Sequence, residues 1–286
     1  MHTVILDTDI GSDVDDALAL AILLGSDTVN LLGITTVYGD TQLRGQIALY
    51  LCSLAGRKIP TFAGESLPIS GREVWLSGSE GEGIESLDQF KLEKDSGIHF
   101  LVNTINSLPG QVDLLAIGPL TNIAKAIEIS DNFSKNIKNL WIMGGDFSKS
   151  KVEHNFKCDI DAAKRVLESE IPITILDLPS SQKTIIKCAE INRIQNSGKL
   201  GPFLHSEIMR WIRPRNQDWT TPHDPIAILG CLRPELFEIS KQGKVEIKVN
   251  GVSEWSEDSM GNVRLISPKE PKIVVDEMID LLNRLY

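Results

Sequence analysis

Ten residues near the N-terminus carry the densest chemistry in the chain. Residues 7–16 read Asp-Thr-Asp-Ile-Gly-Ser-Asp-Val-Asp-Asp, five carboxylates in ten positions. Like charges that close repel, and a fold keeps them together only when a cation or shared protons relieve the repulsion. Hard oxygen donors select Ca²⁺ or Mg²⁺ over zinc. The competing reading is a solvated acidic helix start, stabilised by the helix dipole. Asp13 alone fits that description. Asp7 and Asp9 do not, because they end the apolar run Val4–Leu6, where an unpaired charge is costly. A carboxylate beside a divalent cation can act as a general base, since the cation lowers the pKa of water and the carboxylate takes its proton. That combination suits hydrolysis.

A second constellation lies far along the chain. Thr221-Pro-His-Asp-Pro225 precedes the apolar segment Ile226–Leu232. Asp224 could simply cap that helix, with Pro225 at its first position. Alternatively, a cation held by Asp9 and Asp16 needs further oxygens, and Asp224 could supply one. His223 would then stand beside the cation, placed to give a proton to a leaving group. Trp211 and Trp219 come shortly before it, either as packing residues or as stacking surfaces for an aromatic ligand.

These residues must be positioned by the elements around them. Apolar runs at Val4–Leu6, Val29–Val37, Val112–Ile117, Leu140–Met143 and Ile173–Leu176 read as buried strands. Helical spacing recurs between them at Ala17–Leu24, Gln42–Leu54, Asn122–Ile127 and Asp159–Leu167. Continuous apolar strands alternating with helices predict an α/β fold: an open, mostly parallel sheet with helices on both faces. Ligands of such sheets bind at the carboxyl ends of the strands. Asp7 and Asp9, Tyr38-Gly-Asp40, Gly118-Pro119 and Gly144-Gly-Asp146 all follow strands, so one crevice could collect them. Residues 70–96 are rich in Gly, Ser and Glu and read as a long functional loop. Residues 200–222 also break the alternation. Lys244–Val249 reads as an exposed strand pairing with Val263–Ile266, and a last helix runs from Pro271 to near Leu285. No repeat or linker divides the chain, which reads as one domain over 1–286.

Composition narrows the partners. With 39 acidic and 29 basic residues the net charge is −10, which argues against nucleic acid. It fits a small neutral or cationic ligand, or a bound divalent cation. Cys52, Cys158, Cys188 and Cys231 form no C-x-x-C pair and read as reduced thiols. No apolar run approaches a membrane span and no signal-peptide pattern opens the chain, so a cytoplasmic location is expected.

The motifs together resemble the inosine-uridine-type nucleoside hydrolases. Asp7-Thr-Asp-Ile-Gly11 with Asp15-Asp-Ala-Leu-Ala19 resembles the family's N-terminal signature. Gly33–Asp40, Thr61–Gly64 with Pro68, Ile117–Asn122, Met143-Gly-Gly145 with Glu153, Asn155 and Asp159, and His223-Asp-Pro225 follow in the family's order. The resemblance implies a Ca²⁺-dependent enzyme hydrolysing the N-glycosidic bond of a small-molecule nucleoside. It implies that Asp9 binds Ca²⁺ and activates the water, with Asp16, Asp224 and the Ile117 carbonyl as further ligands. Asp15 would hold the ribose 2′-hydroxyl, and Asp40 would stand where the family has a ribose-binding Asn. Met143 would line the ribose pocket, Glu153 and Asn155 would hold the 3′ and 5′ hydroxyls, and His223 would protonate the departing base. A homodimer or homotetramer is the assembly the family implies.

Besides Asp40, the chain departs from the pattern in three places. Ser12, Asp13 and Val14 separate the Gly from the Asp pair, where the usual signature has one residue. The equivalent of the family's His-Gly flap, Ser77–Gly83, has no histidine, and the block after Met143 lacks the G-N-x-T-P element. Two other readings share part of this pattern. A haloacid-dehalogenase-type phosphatase also starts from Asp-x-Asp after a first strand, but does not account for His223-Asp224. A non-catalytic ribose- or nucleoside-binding protein would keep the cation site without turnover.

Overall fold

Within β1 (His2–Thr8), Val4 and Leu6 join one hydrophobic core and Ile5 joins another. All three are wholly buried, as a strand covered on both faces requires. The same logic runs through the molecule, a computed structural model that describes residues 1–148 and 151–285. α1 (Asp15–Gly25) leads to β2 (Val29–Thr36), α2 (Thr41–Leu54) to β3 (Thr61–Ala63), and α3 (Gly97–Ser107) to β4 (Asp113–Ala116). α4 (Thr121–Ile129) and α5 (Phe133–Asn136) precede β5 (Asn139–Met143), and α6 (His154–Cys158) and α7 (Ile160–Leu167) precede β6 (Ile173–Leu176). Next come α8 (Leu178–Ser181), β7 (Ile186–Lys187), α9 (Cys188–Gln195), α10 (Gly201–Ile212), β8 (Trp219–Thr220) and α11 (His223–Leu232). β9 (Phe237–Ile239), β10 (Gly243–Ile247), β11 (Ser253–Glu257), β12 (Val263–Pro268) and α12 (Pro271–Leu282) complete the chain.

The main sheet has the order β3-β2-β1-β4-β5-β6-β12-β10-β11, with β9 along β12. From β3 to β12 every pairing is parallel, while β9 and β10 pair antiparallel with β12 and β11 pairs antiparallel with β10. Helices α1, α2 and α9 to α12 bury one face; α3, α4 and α7 bury the other. β7 and β8 form a separate ribbon. The expected mostly parallel α/β sheet with helices on both faces is therefore the fold observed. Among the described residues no helix is long and apolar enough to cross a membrane.

β1 sits at the topological switch. The chain moves from β1 to β2 and β3 on one side, then returns to place β4, β5 and β6 on the other. The connections diverge there and leave a crevice over the carboxyl ends of β1 and β4.

Some elements differ from their expected form. Residues 200–222 contain α10, whose Leu204, Ile208 and Ile212 recur every four residues and are buried against the core. β12 pairs in parallel with β6 over four residues and meets β10 only at Gly243–Val263, because β10 takes β11 as its main partner. Residues 70–96 are irregular apart from a single 3₁₀ turn at Leu87–Gln89, as expected of a long loop.

Candidate active site

A cavity of about 730 Å³ opens at the switch point. Asp9, Asp13, Asp15, Asp16, Asp224 and Glu153 line it, with Ile117, Met143 and Asn155. The local structure explains the convergence. Asp7 and Thr8 end β1, and Gly11 turns the chain with φ +117°. Asp13 Oδ1 accepts the Asp15 N–H at 3.1 Å, closing a short turn that starts α1. Asp15 and Asp16 occupy the first turn of α1, where the helix dipole favours negative charge. Asp224 occupies the first turn of α11, and the His223 N–H donates to Asp15 Oδ2 at 3.1 Å, tying the two helix starts together.

The other side of the cavity comes from the ends of β4 and β5. Glu153 caps α6, accepting from the Asn155 and Phe156 N–H groups at 2.8 and 3.0 Å and from Gly145 N at 3.0 Å. Asn155 Nδ2 donates to the Ile117 and Met143 carbonyls at 2.9 and 3.0 Å. Gly118 follows Ile117 with no room for a side chain: a Cβ there would lie 2.7 Å from Asp9 Oδ1.

Burial and mutual repulsion set the electrostatics. Burial holds Asp9 above the usual carboxylate range, opposed by Arg44 and His154. Burial, then repulsion from Asp9, lifts Asp13 to about 6. Asp15, Asp16 and Asp224 are raised further by burial and by their aspartate neighbours. Behind them Asp7 is pushed to about 7 by burial, despite hydrogen bonds from Thr35 and Asn122. Four buried carboxylates, Asp9, Asp15, Asp16 and Asp224, with the half-buried Asp13 beside them, repel one another around one space, and such hard oxygen donors fit a divalent cation of the Ca²⁺ or Mg²⁺ type.

His223 also lines the cavity. Its Nδ1 lies 2.7 Å from Ser181 Oγ, and burial pushes its pKa down to about 4. Trp211 reaches the cavity, with the Arg215 guanidinium 3.3 Å from its ring centre. Two expected residues are placed elsewhere. Asp40 is exposed and caps α2 by accepting the Leu43 N–H at 3.0 Å, and it is not among the cavity-lining residues. Trp219 lies in β8, 37% exposed, and does not line the cavity either. A side chain already bonded at a helix cap faces its own backbone, which explains the first case.

Several contributors carried no clear sequence signal. Trp75 and His154 line the cavity and meet edge to face with ring centres 5.4 Å apart. Tyr38, expected near the crevice as part of a strand-end motif, lines it too, and its hydroxyl accepts the Trp75 N–H at 2.8 Å. Asn122, read as part of a motif, is a brace: Nδ2 donates to Asp7 Oδ1 at 2.6 Å and to Thr36 O at 3.1 Å. Asp159 similarly accepts from Thr121 Oγ1 and from the Ile69 and Ser70 N–H groups. A nitrogen-aspartate-thiol group, His2, Asp113 and Cys231, gathers donor atoms within 4.8 Å elsewhere in the molecule. Its Asp113 is already paired with Lys138 at 2.6 Å and Trp141 at 3.1 Å.

The geometry agrees with the relationships of the chain. The family model described as inosine-uridine preferring nucleoside hydrolase matches residues 4–277. Uridine nucleosidase 1 of Arabidopsis thaliana is 30% identical over 87% of this chain and 79% of its own length. A plant nucleoside hydrolase structure superposes with TM-score 0.87 at 23% identity, covering 99% of both chains. A purine-preferring ribonucleoside hydrolase from Gardnerella vaginalis gives TM-score 0.83 at 21% identity over 99% of this chain and 98% of its own. At these identities the two structures speak for the fold, while the family match speaks for the chemistry. The chain belongs to the inosine-uridine preferring nucleoside hydrolase family and is a hydrolase acting on ribonucleosides.

Proposed function

We propose that the chain hydrolyses the N-glycosidic bond of ribonucleosides to ribose and free base, with Ca²⁺ as its cofactor. The observation that carries this reading is the convergence of Asp9, Asp13, Asp15, Asp16 and Asp224 around one cavity at the switch point. Asp9, Asp16, Asp224 and the Ile117 carbonyl would hold the cation. Bound there, it supplies Lewis acidity to water and to ribose hydroxyls.

The chain's own groups do the rest. Asp9 accepts the proton of the attacking water. Asp15 accepts from the ribose 2′-hydroxyl, and Glu153 and Asn155 hold the 3′ and 5′ hydroxyls. What supports the role of Asn155 is that its Nδ2 is held by two carbonyls, while its Oδ1 accepts from no donor among the described residues. Met143 packs beside the sugar. Bond cleavage builds positive charge on the ribose, which the surrounding carboxylates stabilise. Trp211 offers a face to the base. His223 acts on the leaving group, its ring oriented by the contact between Nδ1 and Ser181 Oγ, whose own hydroxyl proton goes to the Leu178 carbonyl. Asp40 and Trp219 take no part in this scheme. The enzyme is proposed to act as a homodimer or homotetramer.

Release of base measured with uridine, inosine, adenosine, guanosine, cytidine and p-nitrophenyl riboside tests the reading. Uridine leads the panel because curated relatives are uridine nucleosidases. Turnover that disappears on chelation and returns with Ca²⁺ is the expected result. Phosphate release from p-nitrophenyl phosphate, with no riboside cleaved, would overturn it in favour of a phosphatase. Silence on both would point to a binding protein.

A further inference from the structure

The cavity concentrates negative charge, yet one buried cation sits behind it. Arg44 lies in the first turn of α2 and is 1% exposed. Among the described residues no carboxylate lies within ion-pair distance of its guanidinium. Its hydrogen bonds go to backbone and a hydroxyl instead. Nε donates to the Tyr38 carbonyl at 2.6 Å, Nη1 to the Asp9 carbonyl and to Ile10 O at 2.9 Å, and Nη2 to Ser12 Oγ at 3.0 Å.

A guanidinium buried without a carboxylate partner is costly unless a surrounding negative field offsets it. Here the field is the aspartate cluster, and Arg44 draws down the pKa of Asp9, Asp13 and Asp16. The fork also fixes two turns at once. It holds the chain from Asp9 to Ser12 after β1, and the carbonyl of Tyr38 after β2. Tyr38 is a non-glycine residue at φ +71°, a left-handed conformation that persists only where its surroundings impose it. Ser12 passes the contact outward, donating to Glu80 Oε1 at 3.0 Å in the loop that borders the cavity.

We propose that Arg44 is a positioning residue for the aspartate loop that follows β1. Its guanidinium fork, and not its charge alone, fixes the Asp9–Ser12 backbone against the Tyr38 turn, so that the carboxylates are ordered before a cation arrives. The inference rests on the cation reading above, and its test separates the two. Lysine at this position keeps the charge but cannot bridge four acceptors.

The experiment uses the full chain, wild type and Arg44→Lys, with Ser12→Ala as a milder variant that leaves α2 intact. The first readout is hydrogen exchange in chelator, which needs no cation. Arg44→Lys is expected to exchange about tenfold faster across residues 9–14 and 37–40, with β5 and β6 unchanged. The second is Ca²⁺ titration by calorimetry without substrate. Losing an outer brace of metal ligands weakens affinity by roughly 10–100-fold, and Arg44→Lys is expected in that range, with Ser12→Ala about threefold weaker than wild type. Unchanged exchange in Arg44→Lys overturns the proposal. So does faster exchange with wild-type Ca²⁺ affinity, which would make Arg44 a structural brace only. If the wild type itself binds no Ca²⁺, the cation reading falls and the exchange data alone decide the role of Arg44.

Discussion

Gly118→Ala should disable the enzyme without unfolding it. Gly118 has an ordinary backbone conformation, so alanine brings no φ strain, and the whole effect is that of one methyl group. That methyl would lie 2.7 Å from Asp9 Oδ1, 3.0 Å from Asp9 N and 3.0 Å from Val37 Cγ1. Ordinary carbon–oxygen contact needs about 0.6 Å more than the first of these. The Asp9 carboxylate is the softest of the three neighbours, so it should yield. A displacement of about 1 Å at a reacting group can cost about 10²-fold in rate, and a shift of about half that suggests a loss of about tenfold or more in kcat. Steady-state rates with uridine and p-nitrophenyl riboside at saturating Ca²⁺, beside a thermal melt, provide the assay. The expected outcome is a large fall in kcat for both substrates with the melting temperature lowered by only a few degrees. A kcat within twofold of wild type at unchanged stability would refute the assignment of Asp9 as the group that takes the proton of water.

Other outcomes follow from the same geometry. In chelator, Asp7 and Asp13 have folded pKa values raised from 3.8 to about 7 and about 6, so the folded state holds protons that the unfolded state releases. That stability is fully present below about pH 4 and is lost as pH rises to 7, at about 1.4 kcal/mol per pH unit for each proton. His223 works the other way, with its folded pKa lowered to about 4, but its contribution ends above its unfolded value of 6.5. The metal-free protein should therefore melt lower at pH 7.5 than at pH 6.5, with Ca²⁺ shrinking the difference; a metal-free melt that rises over that interval would contradict this. His223→Gln should slow uridine more than p-nitrophenyl riboside, whose leaving group needs no protonation, and equal losses on both would count against a leaving-group role. Asp40→Ala should cost about 1 kcal/mol through the lost cap of α2 and, like Trp219→Ala, leave kcat/KM within twofold, as kinetics and melts of the two variants would show.

The sequence disclosed most of the parallel sheet because its strands are continuous apolar runs, a pattern that survives without context. It disclosed the aspartates because five carboxylates in ten residues are improbable without a cause. It disclosed less where a residue's neighbours come from elsewhere. Asp40 follows a strand and sits beside a turn, as a ligand residue would, yet the first turn of α2 takes its carboxylate. Arg44 reads as an ordinary polar position of α2, and only the turn packed over it makes it a buried cation. Trp75 and His154 are 79 residues apart and meet only because the loop and α6 share a rim. α10 could have been read from Leu204, Ile208 and Ile212, but the Arg and Pro residues after it obscured the period.

The loop spanning residues 64–96 has almost no regular structure, yet it is held at discrete points by side chains from the body of the protein. Asp159 grips the Ile69 and Ser70 amides, Tyr38 grips that of Trp75, and Ser12 reaches Glu80. A segment fastened by rivets, and not by a ladder of its own, can change composition between the rivets with little effect on the sheet beneath. Residues 71–73 form such a span, and it contributes Arg72 and Glu73 to the cavity mouth. Natural drift, or deliberate grafting, could therefore remodel what the mouth admits while the hydrolytic floor stays as it is.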